Sequence, residues 1–217
     1  MNTSSLTKKV IVGGTGLLLA VYLVLHLAGN LLLFAGQRTF NAYAASLIAN
    51  PLTLPVEIAL AAVFCAHLVQ AIAVTVGNRQ ARPTPYVIRT PAKHTSRRSV
   101  ASRSMAVTGV LVLLFVPIHV WMFRFAAAPV DSAMGVRDLH SAVVGAFQSP
   151  MVAVAYAAAM AVVGLHLWHG TSSACQSLGL SGPRLTRWIQ AIGRALAVGI
   201  AGGFVVVVVW AFLGGGQ

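Results

Sequence analysis

Five long runs of residues without any Lys, Arg, Asp or Glu constrain this chain more than any other feature. They cover residues 10–36, 58–78, 104–123, 141 to about 177, and 195–217. Each is long enough to cross a bilayer as a helix, which takes about 20 residues. Because 58% of the residues are hydrophobic and only 8% are charged, a soluble domain is excluded. We predict one all-α membrane domain, residues 1–217, with five transmembrane helices.

The first run resembles a signal peptide at first sight. Its apolar stretch is too long for one, and no small-residue cleavage site separates it from the residues that follow. We therefore expect it to remain as the first transmembrane helix. Pro51 and Pro55 interrupt the segment between the first two spans, so a short separate element is expected there. We identify no internal sequence repeat.

Basic residues are unequally divided between the two sides of the predicted bundle, and such residues mark the cytoplasmic side. Twelve fall on one side: Lys8, Lys9, Arg79, Arg82, Arg89, Lys93, Arg97, Arg98, Arg103, Arg184, Arg187 and Arg194. The other side carries Arg38, Arg124 and Arg137 with all three acids, Glu57, Asp131 and Asp138. We predict a multi-pass protein of the inner (cytoplasmic) membrane, with its N-terminus inside and its C-terminus outside.

The net charge of +12 follows from this topology. Because the charge is concentrated in loops that flank the membrane, anionic lipid or a soluble partner is a secondary explanation and nucleic acid binding is disfavoured. The largest polar stretch, residues 77–103, is the expected contact surface for a soluble protein. The two cysteines, Cys65 and Cys175, form no CxxC pair, and neither an iron–sulfur nor a zinc site can be built from them alone.

Five of the seven histidines lie inside the predicted spans, where ionisable groups are costly and usually functional. His26 follows Lys9 by 17 residues and His119 follows Arg103 by 16, which places both roughly 25 Å from the inner charged edge. His67 precedes Arg79 by 12 residues, roughly 18 Å from that edge. The pattern predicts an outer pair, His26 with His119, and an inner pair, His67 with His166 or His169.

Two stacked histidine pairs from four helices fit two hexacoordinate haems, since haem iron accepts one imidazole nitrogen on each face. A lone buried histidine is more often hydrogen-bonded to a carbonyl than bound to metal, so the hypothesis depends on the matched depths. Pro117 is expected to kink the third span near His119. Small residues that could lie against a macrocycle are Gly13, Gly14, Gly16, Gly29, Gly109 and Gly164. His94 and His140 are expected in solvated or interfacial loops.

Several segments carry a resemblance to a known family: "HLAGNLLLF", "FNAYAASL", "NRQARPTPY", "ASRSM" and "HLWHGTSSACQSLGL". They are similar to the di-haem cytochrome b membrane anchor of succinate:quinone oxidoreductases and fumarate reductases, the type with a single five-helix subunit. The likeness extends over nearly the whole chain but is weak in the last span. It implies haem ligation by the first and third helices and by the second and fourth.

The resemblance also implies individual roles. The family's fourth-helix ligand stands four residues before a glycine, here Gly170, which favours His166 as the iron ligand. His169 is then an alternative ligand, a contact of a haem propionate or quinone, or a simple interfacial hydrogen-bonding residue. Candidate propionate partners are Ser102, Arg103 and His169 inside and Asn30, Arg38 and Arg124 outside, although each arginine is also explained as a helix-end residue. Glu57 matches no acidic position of the family.

By this resemblance, a cytoplasmic flavoprotein oxidises succinate, an iron–sulfur subunit passes the electrons on, and this chain delivers them to menaquinone in the membrane. No residue of the chain is expected to be catalytic, because the chemistry belongs to the cofactors and the partner subunits. The alternatives are a fumarate reductase working in reverse, and the haem b subunit of a hydrogenase or formate dehydrogenase. A histidine-based transporter is disfavoured, since acids are missing from all helix interiors.

Overall fold

The computed structural model describes residues 4–80 and 100–215, except for the side chains of residues 79 and 100–103. Within these residues the helices are α1 (Ser5–Asn30), α2 (Gln37–Ala49), α3 (Thr53–Gln80), α4 (Val100–Val120), α5 (Leu139–Phe147), α6 (Pro150–Ser177) and α7 (Pro183–Phe212). The predicted loop residues Arg82, Arg89, Lys93, His94, Arg97 and Arg98, and the side chains of Arg79, Ser102 and Arg103, lie outside the described part.

Five of these helices are long and apolar enough to cross a membrane, which confirms the predicted all-α membrane architecture. The five segments are Ser5–Ala35, Thr53–Asn78, Ser104–Phe125, Pro150–Ser177 and Pro183–Phe212. Two helices do not coincide with the charge-free runs. The fourth apolar run is split between α5 and α6 at Ser149, because Pro150 has no N–H to continue a helix and starts a new one in its first turn. The fifth helix begins at Pro183 rather than at residue 195.

Local sequence signals account for the helix ends. Ser4 caps α1, since its hydroxyl accepts a hydrogen bond from the Thr7 N–H at 3.2 Å. A 3-10 turn, Leu31–Ala35, follows α1 and ends at Gly36, whose φ of +92° suits a residue without a side chain. α4 passes into a wider π-helical turn, Trp121–Phe125, shortly after Pro117.

The spanning helices pack against one another to different extents. α1 packs along α3 and α6, α4 packs along α6, and α7 covers α6 and part of α1. Small residues allow the closest approaches: a Cβ at Gly13 would lie 3.0 Å from the Ala174 carbonyl oxygen, and one at Gly164 would lie 2.9 Å from the Ala201 Cβ. In contrast, α1 with α4 and α3 with α6 are not in close backbone contact.

One end of the bundle, which we call the capped end, carries α2, α5 and a short antiparallel hairpin. The hairpin pairs β1 (Val130–Asp131) with β2 (Val136–Arg137). α2 follows α1 as a short separate helix, as the prolines predict. An apolar cluster that includes Leu33, Phe40 and Phe147 joins these elements to the C-terminal part of α7.

A buried polar group ties the capped end together, and we call it the Asn41 cluster: Gln37, Asn41, Asp131 and Asp138. The Asn41 amide, which is 0% exposed, donates to Asp131 Oδ2 at 3.2 Å and to Asp138 Oδ1 at 2.8 Å. Gln37 donates to the other Asp138 oxygen at 2.7 Å. The cluster links α2 to the hairpin and to the start of α5. Two of the acids that the sequence places on one side of the membrane are therefore structural.

Candidate functional site

His26 and His119 come together near the capped end. His26 lies four residues before the last residue of α1, and His119 is the penultimate residue of α4. Their ring centres are 5.7 Å apart and the rings are nearly perpendicular, at 83°. Since α1 and α4 are not closely packed against each other, the two side chains meet across the interior of the bundle. We call this couple the outer pair.

Aromatic side chains surround the outer pair. Tyr22 stacks on His26 at 5.5 Å and Phe115 stacks on His119 at 5.6 Å, in each case from one turn earlier in the same helix. Tyr156 of α6 and Phe204 of α7 close the remaining sides. The Nδ1 atom of His119 is buried and has no hydrogen-bond partner. A buried imidazole nitrogen without a hydrogen-bond partner needs an explanation. One explanation is a ligand that binds the nitrogen.

His67 and His166 lie deeper in the bundle, near the middle of α3 and α6, and we call them the inner pair. His67 Nδ1 is 3.2 Å from the Thr15 hydroxyl of α1, and His166 Nδ1 is 3.1 Å from the Thr108 hydroxyl of α4. The His67 ring also has a hydrogen bond with the Val12 backbone.

The two pairs occupy different levels of the bundle. The hydrogen bond from Thr15 places His67 beside a residue that precedes His26 by 11 positions in α1. Thr108, which contacts His166, also precedes His119 by 11 positions in α4. At a rise of 1.5 Å per residue both spacings correspond to roughly 16 Å. This separation is larger than the roughly 7 Å obtained from the distances to flanking charges.

The glycines expected to lie beside a macrocycle have several different surroundings. Gly16 and Gly109 do lie at the inner pair: a Cβ at Gly16 would be 3.1 Å from His67 Cε1, and one at Gly109 would be 3.6 Å from His166 Cε1. Gly13 and Gly164 instead permit helix packing, Gly29 lies against the Tyr43 ring, and nothing lies within 4 Å of the Gly14 position.

His169 and His140 stand apart from the two pairs. His169 is one turn beyond His166 in α6, near enough to interact electrostatically with it. His140, which we expected in a solvated or interfacial loop, belongs instead to α5, where its ring packs between Phe40 and Trp210 and its Nε2 atom is buried. The expectation of a solvated residue is wrong there, because α5 folds back against α7 at the capped end.

Two of the candidate propionate partners at the capped end already have other contacts. Arg124 forms an ion pair with Glu57, with Nε 2.9 Å from Oε1, which joins the end of α4 to the start of α3. The Asn30 amide donates to the His26 carbonyl oxygen at 2.8 Å. Arg38 is exposed on α2. Glu57, left without a role by the sequence, is thus the partner of Arg124.

The geometry of the outer pair fits axial ligation of a metal macrocycle. With metal–imidazole bonds of about 2.0 Å, two rings on opposite faces of one metal have centres about 6 Å apart. The 5.7 Å between the outer rings is close to this value. In the part of the chain that the structure covers, no three His, Cys, Asp or Glu side chains converge on a common metal-ion site. The histidines therefore offer two donors per level.

Thr15 and Thr108 do not stand out from the apolar pattern of their helices. A threonine in an apolar helix is usually bonded to its own backbone, and both residues do bond in this way as well. The signal that singles them out is the Thr-Gly dipeptide, which occurs in α1 and again in α4.

Comparisons of the chain with protein-family models, with curated proteins and with solved structures find no match.

Proposed function

We propose that this chain is a di-haem cytochrome b, the membrane anchor subunit of a succinate:quinone oxidoreductase of the respiratory complex II type. His26 and His119 would hold one haem b, and His67 and His166 would hold the other. The bound haems would supply a one-electron relay between partner subunits and a membrane quinone. The chain's own residues supply ligands, spacing and an apolar, water-poor environment.

The outer pair carries this proposal. Two histidine rings from helices that are not in close backbone contact meet at a separation that suits axial ligation. Placing two imidazoles together inside an apolar bundle is unfavourable unless something binds between them, because each ring carries polar nitrogens that need partners.

The inner pair supports the choice of His166 over His169. The ring of His166 is hydrogen-bonded to Thr108 and lies beside Gly109. His169 lies one turn closer to the end of α6 that is opposite the capped end, where it could contact a haem propionate or a quinone. We therefore assign the iron ligand to His166 and a contact role to His169.

The remaining parts of the proposal follow from charge and from the resemblance noted above. The end opposite the capped end carries most of the Lys and Arg residues of the chain, so we place it on the cytoplasmic side of the inner membrane. The iron–sulfur and flavoprotein subunits would dock there, and menaquinone would be the electron acceptor. Succinate oxidation itself would occur on the flavoprotein subunit.

Succinate-driven reduction of haem in the purified complex tests this function. The full chain, isolated in mild detergent with its partners, should carry a covalently flavinylated subunit, and its haem b bands should become reduced on addition of succinate. Haem that is reduced by hydrogen or formate but not by succinate would instead identify a cytochrome b of another respiratory enzyme. Absence of haem would reject the proposal and leave the transporter alternative.

The direction of turnover needs a separate measurement. Succinate:menaquinone reduction and menaquinol:fumarate oxidation are assayed on the same preparation, in membranes that retain their quinone. A higher rate of succinate oxidation is the result we expect. Fumarate reduction that dominates under all conditions would favour the fumarate reductase alternative.

A further inference from the structure

Two segments of the chain share one pattern although they lie in different helices. The segment "TGLLLAVYLVLH", residues 15–26 of α1, and the segment "TGVLVLLFVPIH", residues 108–119 of α4, both begin with Thr-Gly and end with His. Each carries an aromatic residue four positions before the histidine, and in both cases that ring stacks on the imidazole. The sequence therefore contains an internal repeat that we did not identify from the apolar pattern.

Both ends of the repeat face histidines. At the end of each segment, His26 or His119 contributes to the outer pair. At the start, Thr15 or Thr108 contacts Nδ1 of an inner histidine on the next spanning helix. The adjoining Gly16 or Gly109 leaves room for that same ring. Each 12-residue segment thus contributes a histidine to the outer pair and a threonine that contacts a histidine of the inner pair.

Hydrogen-bond geometry determines which nitrogen of the inner rings carries the proton. The Thr15 hydroxyl has a single proton, and it donates that proton to the Ile11 carbonyl oxygen at 2.6 Å. It must therefore accept a hydrogen bond from His67 Nδ1–H. Thr108 likewise donates to the Ser104 and Met105 carbonyl oxygens, at 3.1 and 3.2 Å, and accepts from His166 Nδ1–H.

This arrangement leaves the lone pair of both inner rings on Nε2, the form in which an imidazole binds a metal. A partner that accepts the Nδ1 proton also fixes the ring orientation and makes the ligating nitrogen more basic. We propose that Thr15 and Thr108 are positioning residues for the inner haem. We also propose that segments 15–26 and 108–119 are two copies of one sequence unit, each of which supplies a ligand to the outer haem. The proposal rests on the haem function proposed above.

Threonine-to-valine variants of the full chain test it. Valine has the same shape as threonine but accepts no hydrogen bond, so helix packing is retained. In Thr15→Val and Thr108→Val we expect a higher midpoint potential and an altered low-spin EPR signal of the inner haem, and about tenfold weaker haem retention at that site. The outer haem should be unchanged. Serine at the same positions should restore the inner haem.

Thr75→Val is the matched control, because the Thr75 hydroxyl also bonds within its own helix, to the Ala71 carbonyl oxygen at 2.8 Å, and within the described residues no hydrogen bond joins it to a histidine ring. It should leave both haems unaltered. An unchanged inner haem in both positioning variants, or an equal change in both haems, would overturn the proposal.

A measurement on haem-free chain separates this proposal from the haem function. In full-length chain labelled with ¹⁵N-histidine and purified without haem, nitrogen NMR shifts report the tautomer of each ring. The signals that disappear in His67→Gln and His166→Gln belong to those two rings, and in wild type they should show the proton on Nδ1. In the valine variants a smaller fraction of each ring should carry its proton on Nδ1. Protons on Nε2 of both rings would refute the positioning role even if the chain binds haem. Nδ1–H rings in a chain that never takes up haem would refute only the haem function.

Discussion

Individual histidines are the part of the site that the sequence predicts best. An imidazole inside an uncharged apolar run is conspicuous, and its depth follows from helical rise. The structure brings the His26 ring to the His119 ring, as the depths indicate, and places His67 and His166 each beside a threonine of a neighbouring helix at the inner level. The threonines that hold the inner rings were not predicted, because back-bonding within a helix explains a buried threonine equally well until the neighbouring helix is placed.

Replacing the histidines one at a time tests the assignment of ligands. His26→Ala or His119→Ala should remove the outer haem, and His67→Ala or His166→Ala the inner one, because iron loses one of its two axial nitrogens. Haem content and EPR signals of the purified variants report the loss. His169→Ala is the control and should keep two haems. If it loses one while His166→Ala keeps both, the ligand is His169.

Asp138 provides a pH-dependent contribution to the stability of the capped end. Burial alone would raise the pKa of this carboxyl, but hydrogen bonds from Asn41, Ser141 and Gln37 outweigh it and hold the pKa below the ordinary value of 3.8. Because the folded pKa is lower than the unfolded one, the stabilisation is complete well above pH 3.8 and is lost progressively as the pH falls from there through the folded pKa.

Thermal unfolding of wild type and Asp138→Asn in detergent measures this contribution. The variant should melt at a lower temperature near neutral pH, where wild type has its full set of charged hydrogen bonds. The difference between the two should shrink as the pH is lowered below about 4. A difference that stays constant down to pH 3 would show that the Asp138 charge does not stabilise the cluster.

At the level of helices, apolar runs predict that a span exists but not how it ends. The run from 141 to 177 contains no charge, yet Pro150 and the Asp138 side chain, which caps α5 through the Ser141 N–H at 3.0 Å, divide it into two helices. The distances to flanking charges also give too small a spacing between the two histidine levels. The reason is that the flanking charges do not lie at one height in the bundle, since α3 continues to Gln80 and α1 begins at Ser5.

The packing of α6 on α7 can be tested through two glycines. A side chain at Gly164 would meet the Ala201 Cβ at 2.9 Å, where neither helix offers a flexible group that could move away. Gly164→Ala should therefore destabilise the chain by about 1–3 kcal/mol, the usual effect of overpacking. At Gly199 on α7 no atom lies within 4 Å of the position of an added Cβ. Gly199→Ala should therefore not destabilise the chain, and alanine should increase the helix propensity there.

Thermal unfolding monitored by the loss of helical circular dichroism compares the two glycine variants in one detergent. The predicted order of melting temperatures is Gly199→Ala equal to or above wild type, with Gly164→Ala clearly below. The reverse order would mean that α6 and α7 do not approach closely at Gly164 in the protein.

For the whole molecule, the sequence predicts five spans and the sign of charge on each side, but not how the spans pack. His26 of α1 and His119 of α4 meet although α1 and α4 share few close backbone contacts, a relation that only helix placement reveals. The same placement exposes the repeat in α1 and α4. Each copy begins a helix pair, α1 with α3 and α4 with α6, in which a threonine of the first helix holds a histidine of the second.

The orientation of the molecule is predicted by its charge and can be measured with reporters at the C-terminus. A periplasmic phosphatase fused there should be active, and a cytoplasmic fluorescent protein fused there should be dark, because basic loops remain inside and an odd number of spans places the two termini on opposite sides. A fluorescent C-terminal fusion with an inactive phosphatase would invert the topology and move the docking surface to the capped end.

The amount of haem per polypeptide tests the central claim most directly. The purified full-length chain, quantified by amino-acid analysis and assayed as pyridine haemochrome, should contain close to two haem b per chain, because each of two levels supplies two imidazoles. One haem per chain would contradict the two-level arrangement, and no haem would contradict ligation by these histidines altogether.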